Sequence, residues 1–518
     1  VVPLPGNTPR FIPVPCAVGT QCFALADDCI ATFAADLFPG QEIQDRAVFR
    51  LTRDADLGVD EDRDDDFVEA MEQVLMAREN GDVVRLVLSP CDSALRDGLV
   101  AAAEVDESRL FEHPGPLDLK SLMKLAGLPG FDSLRYPSWN PAPGLDTDEG
   151  DSIFPLIAAR DHLLYHPYHS FAPVVRLLQE AAEDPDVLAI KMTLYRTSSD
   201  SPVIAALEAA ASAGKQVTAV VELKARFDEA RNISWAQRLE HAGVIVVYGI
   251  ARLKIHAKAL LIVRRESNGI RRYLHLGTGN YNDATARLYT DFGLLSSDER
   301  LGYDLSLVFN ALTGYSSVPR LARLFMAPTQ LKSRVIQMIE REASRAENEE
   351  PGLIIGKMNA LADVDVIRAL YRASQAGVRI RLNIRGICML VPGVKGLSDN
   401  IQVVSVIDRY LEHARAFYFR NGGTDELYLS SADWMPRNLE RRVELMFPIA
   451  EPPMRRRILR FMELSLDDER KGHLLSSDGS FSKRRHSADD PGSQYRSWRQ
   501  VQDSAEKRYE EHPEFTVR

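Results

Sequence analysis

The chain is poor in cysteine, and the cysteines it has are scattered. Five (Cys16, Cys22, Cys29, Cys91, Cys388) in 518 residues form no C-x-x-C, which argues against a zinc ribbon or a disulfide framework and fits a reducing, cytoplasmic setting. Long hydrophobic runs are missing: stretches such as Val244–Ile250 and Ala259–Val263 fall far short of the ~20 residues that cross a bilayer. No transmembrane segment is expected, while peripheral association with a membrane stays open. There is no excess of positive charge, with 63 Lys+Arg against 74 Asp+Glu and a net charge of −11. Nucleic acid is therefore not an expected partner, although a local basic cleft is left open. No G-x-x-x-x-G-K-[ST] occurs, which excludes a P-loop. An initiator Met and a basic-then-apolar leader are also lacking; Val1 is what a processed chain, or a piece of a longer one, would show.

What is present is ordinary globular composition, 45% hydrophobic and 26% charged, in a length that suggests about three domains. Residues 1–140 read as mixed, with a strand at Ala47–Arg53 and a helix at Phe67–Arg78. The acidic run Asp60–Asp66 reads as a solvated loop and helix start rather than a cation site. Arg135–Asp151, with three prolines and two glycines, reads as a linker. Strands and helices then alternate: Val187–Tyr195, the helix Pro202–Ala213 stopped by Gly214, Gln216–Leu223, Val244–Tyr248 and His256–Val263. The residues after Asp467 read as a loosely held polar tail, with Trp498 and a helical Gln500–Glu511 able to dock. Arg455–Arg457 read as a solvated helix face rather than an anion site.

An internal repeat organises the second part. Lys191-Met-Thr recurs as Lys357-Met-Asn, each followed by a helix ending in Ala-Gly (Ala213-Gly214, Ala376-Gly377). Each repeat then shows a His two positions before a basic residue, His256-Ala-Lys258 and His413-Ala-Arg415. Each closes on a small-polar segment, Gly277-Thr-Gly-Asn280 and Ser430-Ser-Ala-Asp433. Two similar α/β domains, each supplying one histidine, account for this order. Alternation along a strand would put His256 and Lys258 on one face. Two imidazoles with adjacent cations suit phosphoryl or phosphatidyl transfer. One nitrogen attacks phosphorus, the second ring moves a proton, and the cations offset phosphoryl charge.

The His-x-basic units resemble the phospholipase D superfamily, except that Val263 stands where that motif wants Asp. Longer strings resemble one branch, the long-chain, ATP-dependent polyphosphate kinase family: Ala189–Arg196, Val221–Glu229, Leu253–Lys258, His275–Asn282, Thr285–Asp291, Asp408–His413 and Ser430–Met435. The resemblance is dense from Arg160 to Pro448. It implies α/β and α+β architecture: a head domain (1–140, N-terminally incomplete), two phospholipase D-like α/β/α domains (141–323 and 324–466) in a pseudo-two-fold repeat, and the tail (467–518). It implies reversible transfer of the ATP terminal phosphate to inorganic polyphosphate through a phosphohistidine on His256, with His413 as the second essential histidine. It matches Tyr289, Arg385 and His413 to ATP binding, and Arg196 and Arg226 to a magnesium–phosphate site. Arginine has no lone pair for a cation, so both are read as phosphate clamps beside Mg2+ carried by the nucleotide. Lys258, Arg415 and Asn280 are expected to bind phosphate, and Asn280 and Ser431 to orient the histidines or donate to phosphate. His166 and His169 are read as structural, and Tyr289 as a platform for adenine. The family's all-helical N-terminal domain, which contributes to adenine binding and the dimer, is not among these residues. Weak ATP binding and poor dimerisation are therefore expected of the chain alone, and a homo-oligomer of the full-length form. A phospholipase D-like phosphodiesterase or nuclease, and a non-catalytic relative, are the alternatives.

Overall fold

The computed structural model describes residues 1–4, 8–17, 19–54, 81–145, 151–198, 200–223, 229–249, 253–314, 320–484 and 490–511. The acidic run, the helix expected at Phe67–Arg78 and Arg226 lie outside these residues. The chain divides into two units, Val1–Pro137 and Ser138–Arg518.

In the first unit, β1 (Phe11–Val14) and β2 (Cys22–Leu25) form an antiparallel hairpin. A three-stranded sheet orders β3 (Phe49–Arg53), β4 (Val83–Leu88) and β5 (Leu110–Glu112). A helix over Ser93–Ala103 starts where the Asp92 carboxylate accepts the Leu95 N–H at 2.7 Å, the usual N-cap arrangement. Val83, Leu86, Leu88 and Val105 make a small core.

The second unit holds two mixed sheets. The first contains β6 (His162–His166), β7 (Val187–Leu194), β8 (Gln216–Val221), β9 (Ile245–Tyr248), β11 (Lys258–Glu266), β12 (Gly269–Gly277) and β13 (Tyr289–Ser296). The second contains β14 (Phe325–Ala327), β15 (Leu353–Met358), β16 (Arg379–Ile384), β17 (Ile401–Val406), β19 (Ala416–Phe419), β20 (Glu426–Ser430) and β21 (Arg442–Pro448). Their topologies correspond strand for strand. β7-β8-β9 are parallel, as are β15-β16-β17. β11 and β19 run antiparallel to β7 and β15, and β6 and β14 lie antiparallel to β13 and β21. Buried β-branched and aliphatic residues on β7 and β8 match strands covered on both faces.

Two short strands cross between the sheets. β10 (Lys254–Ile255), from the first repeat, pairs in parallel with β21 of the second. β18 (Leu411–Glu412), from the second, pairs in parallel with β13 of the first. The sequence reading of one strand over His256–Val263 is corrected here: the strand begins at Lys258. His256 and Ala257 lie at the crossing, and both donate their N–H to the Val443 carbonyl at 2.9 Å. Pairing to the other sheet, not alternation, sets where His256 points.

Of the helices, α1 (Ala172–Glu183), α2 (Pro202–Ser212), α3 (Glu229–His241) and α4 (Glu299–Gly314) belong to the first repeat, and α5 (Leu331–Glu347) and α6 (Val364–Gln375) to the second. α7 (Pro452–Leu466) and α8 (Ser493–Glu511) follow. One apolar core runs between the sheets, joining Ile255, Leu261 and Phe292 to Ala416, Val443 and Phe447, with α4 and α7 contributing Leu305 and Ile458. A second core packs α5 and α6 on the other face of the second sheet.

The residues after Asp467 are more built-in than their composition suggests. β22 (Gly472–Leu475) extends the second sheet beside β17. Trp498 stacks on Trp139 at 5.4 Å and 14°, and donates to the Asn140 carbonyl at 3.1 Å. A few aromatic and amide anchors dock a helix whose other positions are polar.

The Ala-Gly stops of α2 and α6 are the same device. Gly214 (φ +82°) and Gly377 (φ +96°) take the left-handed conformation. The next N–H, of Lys215 or Val378, then reaches back to Ala210 or Ala373, the Schellman closure. A Cβ at either glycine meets nothing within 4 Å, so the cost of alanine is conformational alone, about 1–2 kcal/mol. Gly377→Ala should lower the urea midpoint accordingly, and an unchanged midpoint would contradict the assignment.

Candidate active site

The two crossings carry the two histidines. β10 delivers His256 against β21, and its Nδ1 lies 2.8 and 2.9 Å from the Glu444 carboxylate oxygens. β18 delivers His413 against β13, and its Nδ1 lies 2.9 and 2.8 Å from the Asp291 oxygens. Each imidazole is thus held by a carboxylate from the opposite repeat. Each carboxylate is fixed in turn by the small-polar segment thirteen residues before it. Thr278 donates to Asp291 at 2.7 Å and Ser431 donates to Glu444 at 2.5 Å. Ser431 therefore reaches His256 only through Glu444. Gly279 is required by this packing, because a Cβ there would lie 2.2 Å from the Asp291 Oδ2.

The third residue of each Lys-Met-x also reaches a histidine segment. Thr193 donates to the Ala257 carbonyl at 2.7 Å and accepts from the Ala259 N–H at 3.0 Å. Asn359 donates to the His413 carbonyl at 3.1 Å and accepts from Arg385 Nε and Nη2 at 2.9 and 2.7 Å. Arg385 is thereby joined to the His413 cluster. Tyr289 sits on the strand that receives β18, with its ring 5.3 Å from the imidazole of His413. Arg415 bridges His413 and Asp433: Nη1 lies 3.1 Å from His413 Nε2, and Nη2 is 3.1 Å from Asp433. Lys258 is buried, donates to the His256 carbonyl and faces the Tyr195 ring. Arg196 follows β7 with its guanidinium 5.4 Å from the same ring, which meets His256 edge-on at 5.0 Å. Asn280 is not hydrogen-bonded to either imidazole; its Oδ1 is buried without a hydrogen-bond partner, whereas Asp433, its counterpart in the repeat, pairs with Arg415. His166 and His169 are buried, and each bonds the other's segment: His166 Nδ1 lies 3.0 Å from the His169 carbonyl, and His169 Nδ1 accepts the Tyr165 N–H.

Burial and the cations Lys258, Arg442 and Arg415 hold the His256 imidazole well below its usual range. It is neutral at pH 7. With Nδ1–H donated to Glu444, Nε2 keeps its lone pair and makes no hydrogen bond among the described residues. Burial also lowers His413, with Asp291 pulling the other way. The carboxylates differ. Burial pushes Glu444 up to about 7 against the pull of Lys258 and Ser431. Asp291 is also buried, but His413, Arg415 and Thr278 outweigh this and hold it below the usual range. Lys258 is pushed down by burial to about 7. Among the described residues no group of three or more His, Cys, Asp or Glu side chains could hold a metal. What the described site offers instead is cations of the kind that hold phosphate oxygens.

Sequence reasoning did not assign Asp291, Glu444, Thr193, Asn359 or Tyr195. The signal for the two carboxylates was present, since each follows a hydroxyl of the small-polar segment by the same interval.

Family models match most of the chain: the polyphosphate kinase middle domain over residues 1–125, C-terminal domain 1 over 152–318 and C-terminal domain 2 over 324–494. A polyphosphate kinase of Rhodopirellula baltica is 51% identical over 462 residues, 89% of this chain and 54% of that protein. One from Prosthecochloris aestuarii is 48% identical, covering 88% of this chain and 64% of its own length. One from Pseudomonas aeruginosa is 45% identical, with 93% and 70% covered. The crystal structure of polyphosphate kinase from Porphyromonas gingivalis superposes with a TM-score of 0.81 at 33% identity, over 96% of this chain and 74% of that one. The chain thus spans between half and two thirds of the first two relatives.

Because burial and the neighbouring cations hold the His256 imidazole well below its usual range, that ring should stay neutral at pH 6.5. The folded chain then refuses at His256 a proton that the unfolded chain takes up below about 6.5, so the His256 contribution to stability falls as pH drops through that value, while Glu444, pushed up to about 7, takes up a proton when folded and contributes in the opposite sense. Nitrogen NMR of the imidazoles reads this directly; a protonated His256 at pH 6.5 would overturn it.

Proposed function

The chain belongs to the polyphosphate kinase family, and on that premise we propose that it reversibly transfers the terminal phosphate of ATP to inorganic polyphosphate. The observation that carries this reading is the bare Nε2 of His256, backed at Nδ1 by Glu444. The Nε2 lone pair attacks the γ-phosphorus. An N–P bond forms as the P–O bond to the β-phosphate breaks, and ADP leaves. A terminal polyphosphate oxygen then attacks the phosphohistidine, making a P–O bond and releasing His256 with its lone pair. His413 holds or moves the proton of the leaving or entering oxygen. Lys258, Arg415, Arg385 and Arg196 offset charge on the phosphoryl oxygens, and the ring of Tyr289 offers the adenine a face. Mg2+ entering on the nucleotide would neutralise phosphate charge, with Arg196 and Arg226 clamping phosphates beside it rather than ligating the ion. Asn280 adds a side-chain amide at the edge.

The same reading takes 141–323 and 324–466 as phospholipase D-like domains related by a pseudo-two-fold, an arrangement that the reciprocal strands β10 and β18 support. It takes 1–140 as the head domain and 467–518 as a C-terminal extension. A cytoplasmic homo-oligomer is the proposed state of the full-length form. No helix among the described residues is long and apolar enough to cross a membrane.

Incubation with γ-labelled ATP and magnesium should leave an acid-labile, base-stable label on the chain, and His256→Ala should remove it. Equal labelling of both would sink the nucleophile assignment. Glu444→Gln should slow labelling by about 10²–10⁴. Asp291→Asn should instead slow turnover to polyphosphate more than labelling. Arg385→Lys keeps the charge but loses the fork that Asn359 aligns, so ATP turnover should fall well below the wild type; unchanged kinetics would place Arg385 outside the site.

A further inference from the structure

Away from the histidines, α7 and α8 line an open surface concavity of about 490 Å³ whose wall includes Arg460, Leu464, Tyr495, Arg496, Arg499 and Asp503. Its volume lies within the usual range of small-molecule sites. Three guanidinium groups face it against one carboxylate. Asp503 engages Arg499 at 3.2 Å. Among the described residues, Arg496 has only a distant Asp490 at 3.8 Å and the Asp467 carbonyl at 3.4 Å, and its Nε is buried without a hydrogen bond there. Arg460 makes no ion pair or hydrogen bond with the described residues. A chain of net charge −11 that turns under-paired arginines into one concavity from two helices has a local field suited to an anion.

The arrangement narrows the anion's chemistry. Guanidinium groups present planar forks that match phosphate oxygens two at a time, and three of them around one cavity suit several linked phosphates better than one carboxylate. The cavity is also firmly founded. The first turn of α8 is tied down by Gln494, which bonds Tyr410 N–H and C=O at 2.9 Å and Glu412 at 2.7 Å. Tyr495 packs on Trp139 and Trp498 at 5.7 Å each. The arginines of α8 therefore project from a backbone that is already fixed, so binding need not order the helix.

We propose that this cavity is a second oligophosphate-binding site, separate from the histidine centre. It goes beyond the proposed reaction and rests on it only for the choice of inorganic oligophosphate as ligand.

Calorimetric titration of tripolyphosphate into the full chain, at near-physiological salt, tests the site. The wild type should bind at two classes of site. Arg460→Ser/Arg499→Ser should lose one class, a weakening of about tenfold or more, while its labelling by γ-labelled ATP at saturation is unchanged. Arg460→Lys/Arg499→Lys should fall between the two. A control removing two exposed arginines elsewhere, Arg265→Ser/Arg368→Ser, should keep both classes. A single class in the wild type, or an equal loss in the control, overturns the site. Binding of ATP at the cavity with none of tripolyphosphate overturns the inorganic assignment. Failure of labelling in every protein would instead count against the proposed reaction, leaving the titration to judge the cavity.

Discussion

Each imidazole of the proposed active site hangs from a two-residue strand that has left its own sheet. β10 and β18 make so few ladder contacts that their stability must come from the other repeat: β21 with its Val443 carbonyl, and β13 with its Thr290 hydroxyl, which accepts the His413 N–H at 3.1 Å. Neither half can position its histidine alone. The shared apolar core between the sheets, with residues from both repeats in one cluster, is the condition for the site to exist. Loosening the sheet contact would release both histidines together, along with the carboxylates that orient them.

That dependence explains which parts were legible in the sequence. Strands β7, β8 and β9 and the Gly-stopped helices α2 and α6 announce themselves locally, through apolar runs and a left-handed glycine. The repeat was visible because Lys-Met-x, Ala-Gly and His-x-basic keep their order. The crossings were not visible, because a two-residue strand leaves no periodicity and its partner lies some 190 residues away in the chain, Lys254 against Arg442. Reading His256 as the start of β11 was the natural consequence. Glu444 and Asp291 were hidden for a related reason. They lie in hydrophobic strands, where a lone acid reads as a surface alternation until the opposite sheet closes over it. The polar anchors of α8 were hidden too, since composition does not distinguish a docked polar helix from a solvated one.

The charges brought together here are poor sources of stability. Lys258, Arg415, Glu444 and Asp291 are all nearly inaccessible to solvent, and desolvation of each offsets much of what their mutual attraction returns. A well-packed apolar set would hold the sheets as firmly. What the ionic set supplies is fixed geometry: Arg415 is held by Asp433 and by the Thr278 carbonyl, so its guanidinium is in place before any anion arrives. Preorganised dipoles and charges of this kind need no rearrangement as phosphoryl charge shifts.

The likeness between the two halves ends at protonation, and there the chemistry can divide. Ser431 and Thr278 play matching parts, as do Lys258 and Arg415, yet Glu444 is pushed up toward neutrality while Asp291 is held as an anion. Burial dominates at Glu444, whereas at Asp291 the pull of His413, Arg415 and Thr278 outweighs it. A lysine beside His256 can yield its proton when buried, and is pushed down to about 7. Arginine beside His413 keeps its charge and, after His413 itself, adds to the hold on Asp291. The His256 side can therefore take up an entering negative group by reprotonating Lys258, with its Nε2 unengaged. The His413 side has its Nε2 against Arg415 and a fixed anion behind it, which suits a ring that passes a proton better than one that forms a bond to phosphorus. In the proposed reaction the choice of lysine in one repeat and arginine in the other is what lets two similar halves do different work.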